Sequence, residues 1–157
     1  MTTGTGFAGL VAPDGIIPAL PACSRDAALL GLAHAAARVT GQPALGIRDR
    51  LLAREADGGT ACGSGAAIPH ARLPGLSSCV VLLARLPQPV DWQAMDGQPV
   101  DLLVLLLSPT AQDSDHLKAL ARISRTLRDA DTLAALRSAP GAPAMLAAIA
   151  AQPAMAD

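Results

Sequence analysis

Two short, uninterrupted apolar runs constrain the fold of this chain more than any other feature. One spans Cys79–Ala84 and the other spans Leu102–Leu107, and proline or glycine bounds each of them. Runs of this length without polar alternation are typical of strands that are covered on both faces. They are far shorter than the roughly 20 residues that a membrane-spanning helix needs. The sequence therefore predicts a central sheet buried between layers, and no membrane insertion.

Helical patterns flank the two apolar runs. A first helix is expected to begin at Ser24, a good N-cap, and to stop at Gly41 ahead of Pro43. The clearest pattern covers 115–128, where an apolar stripe lies opposite basic side chains. Because helices both precede and follow the strands, the order indicates an α/β sandwich. The predicted helices cover 24–40, 46–55, 115–128, 131–137 and 144–150.

The length of 157 residues is typical of a single domain, and the sequence has no internal repeat or second-domain boundary. Residues 1–22 carry glycine, proline and threonine without clear periodicity. We therefore expect a loose N-terminus over 1–15 with a short edge strand at Ile16–Ile17. The remaining divisions are one domain over 16–151 and a C-terminal tail over 152–157.

The composition excludes several classes of protein. The chain has 12 basic and 13 acidic residues, whereas a general nucleic-acid binder needs a clear basic excess. Aromatic residues make up only 1% of it, which removes base-stacking platforms. No positive side chain precedes Arg25, so a secretory signal is not expected. The cysteines, Cys23, Cys62 and Cys79, form no CxxC pair, which favours a reducing, cytoplasmic location.

The candidate chemistry lies with the histidines. His34 falls within a predicted helix with no motif around it, and we interpret it as an ordinary helical residue. His70 follows a glycine-rich loop over 58–65 and the rigid Ile68-Pro69 step. His116 falls near the start of a helix, where the helix dipole disfavours imidazolium and free N–H groups favour an anion. No HExxH, P-loop or GxSxG motif is present, so neither a metal nor a cofactor is expected.

The segment Arg54–His70 reads READGGTACGSGAAIPH. It resembles the active-site signature of the phosphotransferase-system enzyme IIA family, fructose/mannitol type. The stretch DGQPVDL at 96–102 is most similar to the nitrogen-regulatory form within that family. The similarity extends over about residues 16–140 and also includes 72–76, 83–86, 89–92 and 116–121.

This resemblance implies a fold and a site. The fold would be a three-layer α/β sandwich whose mixed sheet of about five strands is flanked by helices. His70 would accept a phosphoryl group through Nε2 from a histidine of a small HPr-like carrier. Arg54 and His116 would assist at the phosphoryl group. Backbone N–H groups of a phosphate-binding loop would supply further donors, from Gly63, Ser64, Gly65, Ala66 and Ala67.

The sequence departs from the family pattern at three positions. Ala61 and Cys62 replace the usual Gly-Ile of the loop, and Ala71 replaces the glycine that often follows the histidine. If position 61 requires a positive φ, alanine there is strained or the loop differs. Because Arg54, His70 and His116 are intact, we expect phosphorylation to survive.

The expected function is that of a cytoplasmic phosphocarrier whose phosphorylation state regulates partner proteins. An alternative is a sugar-specific component that passes the phosphoryl group to an enzyme IIB for fructose- or mannitol-type uptake. The sequence contains no IIB or IIC segment, which favours regulation without deciding it. A third alternative is a module that acts by docking alone, and the retention of Arg54, His70 and His116 disfavours it.

Overall fold

The structure of the protein is a computed structural model that describes residues 6–111 and 113–151. A 3-10 turn at Ala8–Leu10 precedes the first strand. Ser24 caps the first helix by accepting the N–H of Ala27, and Gly41 ends it with a φ of 75°. The strands are β1 (Val11–Ile17), β2 (Ala61–Gly63), β3 (Ala66–Ala67), β4 (His70–Leu73), β5 (Val80–Val90) and β6 (Val100–Pro109). The helices are α1 (Arg25–Thr40), α2 (Ala44–Asp57), α3 (Asp113–Leu127), α4 (Ala130–Ser138) and α5 (Ala142–Ala150).

The two apolar runs form the centre of the sheet, as their composition predicts. β5 and β6 pair antiparallel, with Leu83 opposite Val104. The strand order is β1-β5-β6-β3-β2, and β4 also pairs with β6. β1 runs parallel to β5, and β3 and β4 run parallel to β6, whereas β2 is antiparallel to β3, so the six-stranded sheet is mixed. The prediction of a mixed sheet of about five strands is confirmed.

Side chains of β6 alternate between two cores. Leu103, Leu105 and Leu107 pack with residues of α1 and α2. Leu102, Val104 and Leu106 pack with residues of α3, α4 and α5. All six are fully buried, and burying a leucine side chain stabilises a fold by about 1.5–3 kcal/mol. The chain is therefore a three-layer α/β sandwich.

In the described part of the chain, no helix is long and apolar enough to cross a bilayer.

The N-terminal segment is more ordered than the sequence predicts. β1 begins at Val11, and the Phe7 side chain is fully buried in the core beneath α3–α5. The expectation of a loose N-terminus through residue 15 is therefore corrected for residues 7–15. The regular alternation of side chains that marks a strand is not visible in this part of the sequence, because the pairing of β1 with β5 is irregular between Val11 and Ile16. Within that stretch, Asp14 takes a φ of 59°. Residues 1–5 and the predicted tail at 152–157 lie outside the described residues.

Candidate active site

β4 sets the orientation of His70. Its residues alternate, with Ala71 and Leu73 buried in the core beneath α1 and α2 while His70 and Arg72 are half-buried on the other face. β3 and β4 pair with β6 in one continuous register, interrupted only at Ile68-Pro69. The rigid proline step that the sequence places before His70 is therefore the joint between two short strands.

Hydrogen bonds fix the tautomer of His70. Its Nδ1 lies 2.8 Å from the carbonyl oxygen of Ile68. Because a carbonyl can only accept, Nδ1 carries the proton and donates, which leaves the lone pair on Nε2. Nε2 in turn accepts the Nε–H of Arg54 at 3.1 Å. The nitrogen with nucleophilic capacity is thus Nε2, and a guanidinium lies against it.

The end of α2 holds Arg54 in place. Its Nη1 donates to the carbonyl oxygen of Gly58 at 2.6 Å, which ties the guanidinium to the residue that ends the helix. The neighbouring Glu55 is buried and accepts the N–H of Thr60 at 2.7 Å, the Thr60 hydroxyl at 2.6 Å and Nε1 of Trp92 at 3.2 Å. Glu55 therefore fixes the path of the chain as it leaves α2. Glu55 is a functional neighbour that the sequence marks only as a carboxylate beside Arg54 at the end of a predicted helix.

His116 reaches the site from α3. It is the fourth residue of that helix, and its side chain is buried. Its ring centroid lies 5.5 Å from that of His70, with the two planes tilted by 52°. Nδ1 of His116 lies 2.7 Å from the hydroxyl oxygen of Ser108, at the end of β6. The fold therefore brings together the three residues that the resemblance implies, Arg54, His70 and His116.

Both histidines are held in the neutral form. Burial lowers the pKa of His70 from its ordinary value, and the positive charges of Arg54 and Arg72 add to that effect. The Ile68 carbonyl and the carboxylate of Glu55 oppose it. The pKa of His116 is also lowered, first by burial and then by the positive charge of Arg72. A neutral imidazole is the form that can attack an electrophile.

An open cavity of about 400 Å³ lies over the two histidines. Two of its arginines, Arg50 and Arg72, are not among the site residues predicted from the sequence. Arg50 lies one helical turn before Arg54, and Arg72 lies two residues after His70 on a strand, so both spacings place them on the site's face. Nη1 of Arg50 donates to the Arg72 carbonyl oxygen at 3.1 Å. The cavity is lined by Arg50, Ala53, Arg54, His70, Ala71, Arg72 and His116.

Arg72 also links β4 to α3. Its guanidinium pairs with the carboxylate of Asp113, in the first turn of α3. The pair joins the strand that carries His70 to the helix that carries His116. Three guanidinium groups line the cavity and outnumber the two carboxylates near it, those of Glu55 and Asp113, so the cavity is suited to an anion with several oxygens.

The predicted phosphate-binding loop does not reach this cavity. Ala66 pairs with Leu102 and His70 pairs with Leu106, four residues further along β6, which is about 13 Å. The backbone groups of the loop also have partners within it and around it. Ser64 donates its N–H to Asp96 at 2.9 Å, and the remaining predicted positions, Gly63, Gly65, Ala66 and Ala67, lie in or beside the β2–β3 hairpin. The expectation that their N–H groups contact the phosphoryl group is therefore corrected.

The glycine-rich segment serves the fold instead. Ser64 and Gly65 have φ values of 57° and 81°, which makes a two-residue hairpin turn of the type that matches strand twist. Ala61 lies in β2, and the described non-glycine residues with positive φ are Asp14, Ser64 and Gln93, so alanine at 61 carries no such strain. Ala71 packs into the core. The departures from the family pattern are compatible with an intact site.

The fold and this cluster define a class of protein: a small α/β sandwich that presents a neutral histidine in an arginine-lined cavity. The family described as "Phosphoenolpyruvate-dependent sugar phosphotransferase system, EIIA 2" matches residues 14–152. The chain belongs to this family of phosphotransferase-system components. The resemblance seen in the sequence is confirmed.

Relatives within the family fall into two groups by name. The chain is 50% identical over 147 residues to the "Nitrogen regulatory protein" of Bradyrhizobium diazoefficiens, covering 94% of this chain and 96% of that one. It is 41% identical over 103 residues to the "PTS system fructose-specific EIIA component" of Haloferax volcanii, covering 66% of each. The crystal structure of Nitrogen Regulatory Protein IIA-Ntr from Neisseria meningitidis superposes with a TM-score of 0.85, at 24% identity, over 91% of this chain and 98% of that one. This last likeness concerns the fold.

Proposed function

We propose that the protein is a cytoplasmic phosphocarrier that accepts a phosphoryl group on Nε2 of His70 and regulates partner proteins according to its phosphorylation state. The donor would be the phosphohistidine of an HPr-like carrier. The observation that carries the proposal is the tautomer of His70: Nδ1–H donates to Ile68, so the Nε2 lone pair remains available beside Arg54.

The proposed transfer needs no proton relay, because the bonds and charges balance between the two imidazole rings. The Nε2 lone pair of His70 forms the new N–P bond, while the P–N bond of the donor breaks and its electron pair stays with the donor imidazole. A donor ring protonated at its other nitrogen leaves neutral, and the phosphorylated His70 ring takes the positive charge. Its Nδ1–H continues to donate to Ile68, which stabilises that cation.

The arginines and His116 stabilise the charge on the three equatorial oxygens of the passing phosphoryl group. In phosphoryl transfer, positioning and electrostatic stabilisation supply most of the catalysis. Arg54 must release Nε2 as the phosphorus approaches, and its guanidinium then has phosphoryl oxygens as new acceptors. Burial of His116 keeps its pKa low, so this ring acts as a neutral hydrogen-bond donor.

The names of the relatives support regulation as the main role. A relative with 50% identity over nearly the whole of both chains is called a nitrogen regulatory protein. The fructose-specific name of the Haloferax relative supports the second candidate, onward transfer to an enzyme IIB. Both candidate functions use the same phosphorylated His70. They differ in the protein that responds to it, which is a regulated partner in the first and an enzyme IIB in the second.

The proposal is tested by phosphorylating the protein with a labelled HPr-like carrier and mapping the acid-labile label. We expect one label, on His70, and none after His70→Ala. His34→Ala is the matched control, because His34 lies on the exposed face of α1. Label on His116 or His34, or unchanged uptake by His70→Ala, would overturn the assignment.

A further inference from the structure

Ser108 carries a buried hydroxyl that has no role in the proposed phosphoryl transfer as described above. It directly follows the apolar run Leu102–Leu107 near the end of β6 and is fully buried. Its oxygen lies 2.7 Å from Nδ1 of His116 and 3.5 Å from Sγ of Cys79. Its backbone lies beside Arg72 in the pairing of β4 with β6. The hydroxyl therefore lies directly behind the site, between a cysteine thiol and the second histidine.

The hydrogens of this cluster can be assigned. A serine hydroxyl has one proton to donate and two lone pairs to accept with, while sulfur accepts weakly. With His116 neutral, the best acceptor within reach of the hydroxyl proton is the imidazole Nδ1. The Cys79 thiol then donates to a lone pair of the same oxygen. In this arrangement the thiol proton, the hydroxyl proton and Nδ1 of His116 each have a partner, and the proton of His116 lies on Nε2.

We infer that Ser108 is a positioning residue that holds His116 in the Nε2–H tautomer, so that this ring presents a donor rather than a lone pair to the phosphoryl group on His70. The effect follows from the geometry: Nδ1 is occupied by Ser108, and the ring itself lines the cavity that holds His70 and Arg54. A ring free to take the other tautomer would turn a lone pair toward phosphoryl oxygens, which repels them.

The role at the phosphoryl group rests on the proposed function, whereas the tautomer does not. Nitrogen-15 NMR of the imidazole rings measures the tautomer directly, with the His116 signals assigned by comparison with His116→Ala. We expect the Nε2–H form in the wild type and a mixture of tautomers in Ser108→Ala. Ser138→Ala, which removes an exposed hydroxyl on α4, is the matched control and should leave the His116 signals unchanged.

Kinetics separate positioning from general stability. Ser108→Ala should slow transfer into or out of His70 by about 3- to 10-fold, the scale of one hydrogen bond. In a His116→Ala background the same substitution should change nothing further, since Ser108 acts through that ring. Threonine and valine are nearly isosteric, so Ser108→Thr should restore the tautomer while Ser108→Val should not. The comparison of Ser108→Thr with Ser108→Val also tests the inference if Ser108→Ala impairs folding.

Three results would overturn the inference: an unchanged Nε2–H signal in Ser108→Ala and Ser108→Val, the Nδ1–H form in the wild type, or an equal loss of rate with His116 absent. The last would mean that Ser108 only supports the fold. If His70 accepts no phosphoryl group at all, the proposed function fails, and the NMR result still decides which tautomer Ser108 imposes.

Discussion

Nε–H of Arg54 lies 3.1 Å from Nε2 of His70, the only ring nitrogen of that histidine whose lone pair is free to react. Burial lowers the pKa of this imidazole, and the guanidinium adds to that effect while it also covers the Nε2 lone pair. Arg54 is itself tied to the carbonyl oxygen of Gly58 at the end of α2. Under the proposed function, this pair would be the resting site: the imidazole is neutral, oriented and covered by a guanidinium that an incoming phosphoryl group would draw away.

Arg54→Ala should slow phosphoryl acceptance by about 10²–10³-fold, the scale of losing one charge-stabilising donor. The measurement is the initial rate of labelling from a phosphorylated HPr-like carrier. Arg48→Ala is the matched control, because Arg48 lies on the same helix and pairs with Asp49 at 2.8 Å, away from the cavity. Equal rates for the two variants would place Arg54 outside the reaction.

Acceptance should resist mild acid. Burial lowers the pKa of His70 below the ordinary value of 6.5, so the ring stays neutral as the pH falls through 6.5 and loses activity only below its own, lower pKa. The rate of labelling is measured from pH 8 to pH 5. The same phosphorylated donor with another acceptor separates titration of the donor from that of His70. A midpoint above 6.5 for His70 would contradict the burial argument.

Gly65→Ala should destabilise the fold and leave phosphoryl acceptance unchanged. Gly65 has a φ of 81°, and an added Cβ would lie 2.5 Å from Nη2 of Arg137, which holds the hairpin through the Ser64 carbonyl oxygen and Asp101. The φ alone costs about 1–2 kcal/mol. Gly97→Ala is the matched control, because Gly97 has a φ of 73° and nothing within 4 Å.

Urea unfolding of the two glycine variants should show a larger loss of stability at position 65 than at position 97. The difference reports the displaced Arg137 contact. If folded Gly65→Ala instead labels much more slowly than the wild type, the hairpin contributes to the site after all.

Phosphorylation should exchange the partners of the protein with little change in its fold. A phosphoryl group adds about −1.5 to −2 charges to a cavity lined by Arg50, Arg54 and Arg72, and offsets much of its positive charge. Partners with an acidic group over the site then lose attraction to the arginines, and partners with an arginine there gain a phosphoryl oxygen as acceptor. Pull-down with the wild type, its phosphorylated form and His70→Ala measures the exchange. Recovery of the same partners with equal affinity would favour onward transfer to an enzyme IIB instead of regulation.

The layers of the fold and the core of the site could be predicted from the sequence. The apolar runs at 79–84 and 102–107 require covering on both faces, and they became β5 and β6 with two separate cores. Helix ends followed local chemistry: the Ser24 cap and Gly41 act within one turn of chain, so no distant contact decides them. Arg54, His70 and His116 were found through a motif and its order along the chain.

Short strands and the loop could not be predicted in the same way. β2, β3 and β4 have two to four residues each, too few for a pattern. β3 and β4 form because β6 offers them a neighbouring edge, and β2 pairs in turn with β3. From its sequence alone, the hairpin turn at Ser64–Gly65 resembles an anion-binding loop. Its four-residue offset from His70 along β6 is what takes it away from the cavity.

The sequence by itself determined which segments must be buried, where the helices end and which histidine follows a rigid step, because each of these depends on neighbours within a few residues. The tertiary structure alone decided what surrounds that histidine. Arg72 and Asp113 are 41 positions apart and Arg54 and His70 are 16 apart, yet they meet at one cavity. Ser108 became a partner of His116 because β6 ends where α3 turns back over it, and hydrogen bonds between distant residues follow from that packing.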